Sequence, residues 1–146
     1  MLRSDLFDSE AVKLVRMNGA GNTFFILSET ETLKLKKEER SSFAKKACSD
    51  LIGLHVDGMI FLDHSLDHDF EWDYYNSDGS HAEMCGNASR CVTLFYESLH
   101  GKKKIKFKTP SGAVHSWVEA RQKEAKTLLR SFGESFWPSQ CFQWLL

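Results

Sequence analysis

Hydrophobic and polar positions follow two rhythms along the chain. Val12-Lys13-Leu14-Val15-Arg16-Met17 alternates and predicts a strand running into the turn cluster Asn18-Gly19-Ala20-Gly21-Asn22. Thr23 to Leu27 is more continuously apolar and predicts a second strand. Residues 29–50, rich in Glu, Lys and Ala, predict one helix or two short ones, with Leu33, Leu35, Phe43 and Ala47 facing inward. A loop from Gly53 to Gly58 leads into a strand over Met59–Leu62. Phe70-Glu71-Trp72-Asp73-Tyr74 alternates aromatic with acidic residues, as a half-buried strand does with its aromatic face inward. It ends in the turn chemistry of Asn76-Ser77-Asp78-Gly79-Ser80.

From Asn87 to Ser98 the period becomes helical, with Cys91, Leu94 and Phe95 on one face, Arg90 and Glu97 outside, and Gly101 as the stop. Lys102 to Lys108 alternates again. It reads as an exposed strand whose lysines face solvent and discourage edge pairing, rather than as a nucleic-acid patch. Thr109-Pro110-Ser111-Gly112 then turns into a strand over 113–119. The order strand, strand, helix, strand, strand, helix, strand, strand is that of an α+β fold, a mixed sheet wrapped on at least one long helix.

The two ends read differently. Residues 1–11 are polar and read as a loosely attached N-terminus. From Arg121 to Lys126 the chain is charged and helix-prone. Phe132, Phe136, Trp137, Phe142, Trp144, Leu145 and Leu146 then crowd the C-terminus, which must be buried or form a sticky patch. With 146 residues, 42% of them hydrophobic and 27% charged, the chain has the make-up of one globular domain, not of a coiled coil or a disordered tail. The formal net charge of −1 gives no overall field for nucleic acid or an anionic membrane. No apolar run reaches the roughly 18–20 residues of a spanning helix, and the N-terminus does not resemble a secretory signal. A soluble cytoplasmic protein is the expectation.

Four cysteines are present, and no pair has the spacing of a zinc knuckle or a thioredoxin-like site, so no metal is expected. Cys48, Cys91 and Cys141 read as small buried hydrophobes. Cys85 is set apart by its neighbours. It stands at the entrance to the predicted helix, where unpaired backbone N–H groups and the helix dipole favour a thiolate and can hold a carboxylate. Gly86 permits close backbone approach, and Asn87 can cap the helix or offer an amide to a ligand. The residues alone leave a buried cysteine before a Gly-Asn turn as an equal alternative.

Several blocks, in order, resemble the diaminopimelate epimerase family. Met17-Asn18-Gly19-Ala20-Gly21-Asn22-Thr23-Phe24 is similar to the family's Met-His-Gly-x-Gly-Asn-Asp-Phe. Gly53-Leu54-His55-Val56-Asp57-Gly58 looks like its Gly-x-Gly-x-Asp-Gln/Gly loop. Asn76 to Ser80 followed by Met84-Cys85-Gly86-Asn87 resembles its Asn-x-Asp-Gly-Ser…Cys-Gly-Asn block, and Thr109 to Gly112 its Thr-x-x-Gly. The resemblance spans residues 12–119 and implies a mostly antiparallel mixed sheet around a central helix at about 87–98. It further implies cofactor-independent interconversion of LL- and meso-diaminopimelate, on the route to lysine and peptidoglycan precursors, by one cysteine thiolate and a second cysteine thiol on opposite faces. By that resemblance Cys85 is catalytic, and Asn22, Asn76, Gly86 and Asn87 bind substrate. Asn22 and Asn76 also sit in turns, where asparagine is common for backbone reasons.

The chain departs from the family in length, since it corresponds to an N-terminal domain alone. The block that carries the second cysteine is not found, and Cys141 lacks its glycines. After about residue 119 the tail to 146 matches no family pattern and reads as a truncation or frameshift. Asn18 replaces the usual histidine, Gly58 stands where many members have glutamine, and Ala88 replaces a glycine. The expectation is an epimerase-like chain that is incomplete alone, its half-cleft filled by a second copy or a separately encoded second domain. A non-catalytic ligand-binding module of the same fold is the alternative. Proline and hydroxyproline racemases usually carry His where Asn87 stands, and PhzF-like isomerases lack the Cys-Gly-Asn block.

Overall fold

The computed structural model describes residues 11–50, 55–119, 124–129 and 141–144. Expectations for the first ten residues, for the Gly53–Leu54 part of the loop and for the aromatic residues at 132, 136 and 137 lie outside these. Among the described residues the strands are β1 (Val15–Gly19), β2 (Asn22–Leu27), β3 (Gly58–Asp63), β4 (Phe70–Asn76), β5 (His81–Ala82), β6 (Lys104–Thr109), β7 (Gly112–Glu119), β8 (Glu124–Leu129) and β9 (Cys141–Trp144). The helices are α1 (Glu29–Thr32), α2 (Arg40–Asp50) and α3 (Gly86–His100), with a 3-10 turn at Lys37–Glu39. One sheet runs β8-β7-β6-β4-β3-β2-β1-β9, with β5 beside β4. Only β2–β3 and β4–β6 are parallel among these pairings; the rest are antiparallel. Helix α3 lies against β1 and β2 and also against β7, β8 and β9, so the sheet curls around it.

The unbroken apolar run of β2 has a simple cause: both faces of the central strands are covered. Phe24 and Ile26 point to the inner core with Ile60, Leu62, Phe70, Trp72 and Tyr74, against Cys91, Val92 and Phe95 of α3. Phe25 and Leu27 point the other way with Met59, Phe61 and Tyr75, against Phe43, Ala44, Ala47 and Cys48 of α2. Each large side chain so removed from water contributes about 1.5–3 kcal/mol.

The α+β architecture follows the sequence, and several details correct it. The first strand starts at Val15 rather than Val12, which is buried in the outer core instead. Leu33 is 83% exposed: α1 is a single turn ending at Thr32, and the break in helical phase turns Leu33 outward while Leu35 and Phe43 bury. Arg90 is 3% exposed, because α3 is wrapped on nearly every side and Ala88 to Tyr96 are all buried. Asp73 is buried too. It accepts from Arg40 Nη1 at 2.9 Å and from the Tyr75 hydroxyl at 3.1 Å, and Arg40 also clasps Asp63 at 2.6 and 2.7 Å. The lysine strand β6 is not an edge, but lies between β4 and β7 with its lysines exposed. Residues 124–126, the described part of the stretch read as helix-prone from Arg121 to Lys126, belong to strand β8 instead, because pairing with the open edge of β7 overrides local preference. Helix α3 ends as expected at Gly101, in the left-handed region at φ 67°.

Candidate functional site

Three turns converge at one end of the sheet. The first is the β1–β2 hairpin, a two-residue loop in which Ala20 (φ 50°) and Gly21 (φ 93°) both adopt the left-handed conformation. That matches the right-handed strand twist and puts Asn22 opposite Gly19 at the start of β2. Asn18 braces this turn: its Oδ1 accepts from Gly21 N at 3.3 Å and its Nδ2 donates to Thr23 Oγ1 at 3.2 Å. The second is the segment entering β3, where Asp57 Oδ2 accepts from Thr23 N at 2.8 Å and Asp57 O accepts from Ser77 N at 3.0 Å. The third is the entrance to α3.

Cys85 is the residue before the first turn of α3, extended at φ −151° and ψ 121°, half-buried, and without a capping side-chain bond. The N–H groups of Gly86, Asn87 and Ala88 follow it in positions that have no intrahelical acceptor. Ser89 closes the turn beneath, its N and Oγ both donating to Cys85 O at 2.9 Å. Ala88 is fully buried in the inner core, so its methyl group packs against the sheet rather than into the approach to Gly86.

Asn87 Nδ2 donates to Asn22 Oδ1 at 2.7 Å. Asn87 Oδ1 accepts from Arg90 Nη2. Asn22 in turn donates to Asp57. Burial alone would raise the Asp57 carboxyl, but the Thr23 N–H, His55 and Asn22 outweigh it and hold the group below its ordinary value. The result is a polarised chain, Arg90 to Asn87 to Asn22 to Asp57, that ties α3, β2 and the β3 entrance together. Arg90 Nε has no hydrogen-bond partner among the described residues, and its Nη1 lies 3.8 Å from where a Cβ on Gly86 would stand. A cation beside a helix N-terminus adds to the positive potential there, an arrangement that favours an anionic ligand.

Asn22, Cys85, Gly86 and Asn87 therefore lie together. Asn76 sits at the same sheet end, opposite Gly58, and is engaged in its own turn: Nδ2 donates to Ser80 Oγ at 3.0 Å and N to Ser80 O at 2.8 Å. Sequence reasoning missed Tyr74. It belongs to the inner core against which Cys85 packs. Burial pushes its phenol well above the ordinary value, and Cys85 pushes it further. The available signal was position: two residues before Asn76, it faces the inner core that Cys85 adjoins. Asp57 was visible only as part of a block, and Arg90 was assigned to the wrong face.

Among the described residues no three His, Cys, Asp or Glu side chains gather to hold a metal ion, and no helix is long and apolar enough to cross a membrane. The remaining cysteines differ from Cys85. Cys91 is fully buried. Cys48 is buried, and burial followed by the nearby Asp57 charge pushes its thiol up to about 12. Cys141 stands in β9 opposite Gly19.

The family model for diaminopimelate epimerase matches residues 14–131, running on past Glu119 through β8. The chain belongs to the diaminopimelate epimerase family. It is 49% identical over 80 residues to a diaminopimelate epimerase of Helicobacter pylori (strain P12), covering 55% of this chain and 28% of that protein. It is 33% identical over 120 residues to the diaminopimelate epimerase of Methanocaldococcus jannaschii, covering 80% and 41%. The chain thus spans less than half the length of these curated relatives. Among solved structures it resembles a Bacillus anthracis phenazine biosynthesis protein of the PhzF family (TM-score 0.61, 16% identity, 82% of this chain and 40% of that one). It also resembles a hydroxyproline epimerase from Agrobacterium vitis (TM-score 0.58, 14% identity, 80% and 41%). These likenesses show the shared fold, and the family itself is one of isomerases.

Proposed function

We propose that this chain forms the Cys85 half of a diaminopimelate epimerase site, acting without a cofactor on LL- and meso-diaminopimelate. The observation that carries the reading is the convergence of Cys85, the open N-terminus of α3 and the Asn22–Asn87 pair. The α-carboxylate sits on the N–H groups of Gly86 and Asn87, near the Arg90 charge. Asn22, Asn87 and Asn76 fix the amino-acid end of the substrate.

An α-amino-acid C–H is a very weak acid, so its removal needs stabilisation where charge develops. The Cys85 thiolate takes the α-proton and becomes the thiol. The electron pair left on Cα delocalises into the carboxylate, whose oxygens face the helix N-terminus. A second thiol on the opposite face then delivers a proton and becomes a thiolate. Running the sequence in reverse starts from the other stereoisomer, which requires the two sulfurs to hold opposite protonation states. Cys48 and Cys91 are buried among core residues and are not placed to act as that second thiol; a second copy of the chain or a second domain would supply it.

The test is α-deuterium incorporation from D₂O into LL- and meso-diaminopimelate under reducing conditions, with stereoisomer ratio followed alongside and Cys85→Ala as control. Exchange that depends on Cys85 supports the reading, and epimerisation with it means that the second thiol is supplied. No exchange from either isomer, with or without an added second domain, leaves the non-catalytic ligand-binding module as the better description.

A further inference from the structure

We propose that Arg90 is a positioning residue of the carboxylate cradle: from inside α3 its guanidinium fixes the Asn87 amide and stands beside Gly86 as the buried countercharge for a carboxylate at the helix entrance. The inference rests on the reading of that entrance as the seat of the substrate's α-carboxylate.

Three observations place the guanidinium. Arg90 is 3% exposed and lies on α3 after Gly86 and Asn87 at the i+4 and i+3 positions. Those spacings share one helix face, and helical side chains lean toward the N-terminus, so the guanidinium lies along the first turn. Its Nη2 donates to Asn87 Oδ1, and its Nη1 lies 3.8 Å from where a Cβ on Gly86 would stand. Its Nε is buried with no hydrogen-bond partner among the described residues.

The charge of this guanidinium is not matched. Arg40, also buried, is clasped by Asp63 and Asp73. Among the described residues no Asp or Glu forms an ion pair with Arg90, and the group that its guanidinium bonds is a neutral amide. A buried cation without an anion costs stability, and a carboxylate docking at the helix entrance offsets that cost. The guanidinium also sets the polarity of the cradle. It can only donate, so Asn87 must turn Oδ1 toward it. Nδ2 is then the end that meets Asn22 Oδ1, at 2.7 Å. Without Arg90 the Asn87 amide can turn over, and its donor is no longer held in place. A helix that merely loosens binds every ligand less well, whereas a lost countercharge weakens only a ligand that carries a carboxylate.

The experiment measures, by calorimetry on the full chain, binding of meso-diaminopimelate and of its dicarboxamide, which lacks the negative charges. Wild type is compared with Arg90→Met and with Thr93→Val, which loses a buried bond to Ser89 O in the same helix. Native circular dichroism is required of each. Arg90→Met weakens meso-diaminopimelate about tenfold and does not weaken the dicarboxamide. Thr93→Val leaves the preference between the two ligands in place. An unchanged preference in a folded Arg90→Met protein overturns the proposal, as does an equal loss for both ligands, an equal effect of Thr93→Val, or a wild type without a preference. If Arg90→Met fails to fold, the ¹⁵Nε–¹H signal of Arg90 in the wild-type chain decides the question. Displacement by meso-diaminopimelate and not by the dicarboxamide is expected; equal displacement, or none, overturns the proposal. If the preference depends on Arg90 while wild type exchanges no α-deuterium, with or without an added second domain, the role of Arg90 stands and the epimerase reading fails. Exchange that depends on Cys85, with a preference that does not depend on Arg90, is the converse.

Discussion

Asn87 and Asn22, 65 residues apart in sequence, share a 2.7 Å hydrogen bond that joins the first turn of α3 to the start of β2. The bond is one link in the chain from Arg90 to Asp57, so the two amides are oriented by their other partners as well as by each other. Removing either side leaves a part-buried amide unpaired. Asn87→Ala and Asn22→Ala should each lower stability by about 1 kcal/mol, and the double variant should cost less than their sum. Urea unfolding of the four proteins measures the coupling. Strict additivity would mean that the two amides do not sense one another.

Asp57 anchors the other end of that chain. Its carboxyl is held below the ordinary 3.8, so the folded protein releases its proton more readily than the unfolded chain does. The stabilisation is present above pH 3.8 and is lost as pH falls through the lower, folded value. Asp57→Asn should cost about 1–2 kcal/mol at pH 7, through the weakened bond to Thr23 N. In urea melts between pH 7 and pH 2.5 the gap between wild type and variant should close toward acid. A gap independent of pH would assign the loss to packing.

The strands were legible because β4 opens with alternating aromatic and acidic residues and β2 and β3 are short apolar runs beside turn residues, and the helix α3 because Gly101 and the Cys91, Leu94, Phe95 spacing mark it. What was not legible depends on wrapping. Arg90 falls on the polar side of a helical wheel, yet the sheet curls far enough to bury that side too. Asp73 looks like the outer face of a strand until Arg40 arrives from a distant helix. The motif residues Cys85, Gly86 and Asn87 could be read as a site from their place at a helix entrance. Tyr74, whose phenol is pushed up by burial and further by Cys85, looked like one more aromatic core residue, since periodicity reports which face a side chain takes and not which groups its hydroxyl senses.

Cys48 provides an alkaline counterpart to Asp57. Burial first, and the Asp57 charge second, push its thiol from 9.0 up to about 12. An acid whose folded value is raised contributes stability fully below the unfolded value and loses it as pH climbs to the folded one. Stability should therefore fall between about pH 9 and about pH 12. Cys48→Ala, although destabilised at pH 7 by the cavity it leaves, should show a shallower alkaline decline. Thermal unfolding across that range gives both slopes, and equal slopes would assign the decline to other groups.

Ala20 holds a left-handed conformation, φ 50°, in the hairpin that carries Asn22. For an alanine this costs roughly 1–2 kcal/mol, whereas glycine adopts it freely and asparagine at less cost. The position is exposed, so substitution meets no packing. Ala20→Asn should raise the free energy of unfolding by about 0.5–1 kcal/mol. Denaturant midpoints measured beside wild type would show it, and a lower midpoint would mean that the turn is not of this type.

Arg40 sets the position of Asp73, and Asp73 in turn meets His81, whose Nε2 lies 2.9 Å from Asp73 Oδ1 on the short strand leading to Cys85. Burial opposes the charge on Arg40, but the Asp63 and Asp73 carboxylates more than restore it and raise the guanidinium above its ordinary value. Arg40→Met would leave Asp73, 6% exposed, without its cation, at a cost of about 3–5 kcal/mol. Arg40→Met with Asp73→Asn removes the stranded charge and should recover part of that loss. If the single variant unfolds no more easily than wild type, Asp73 is reached by water or countered by His81 alone. If the double variant recovers nothing, the cost lies in the severed bonds to Asp63 rather than in a buried, uncompensated carboxylate.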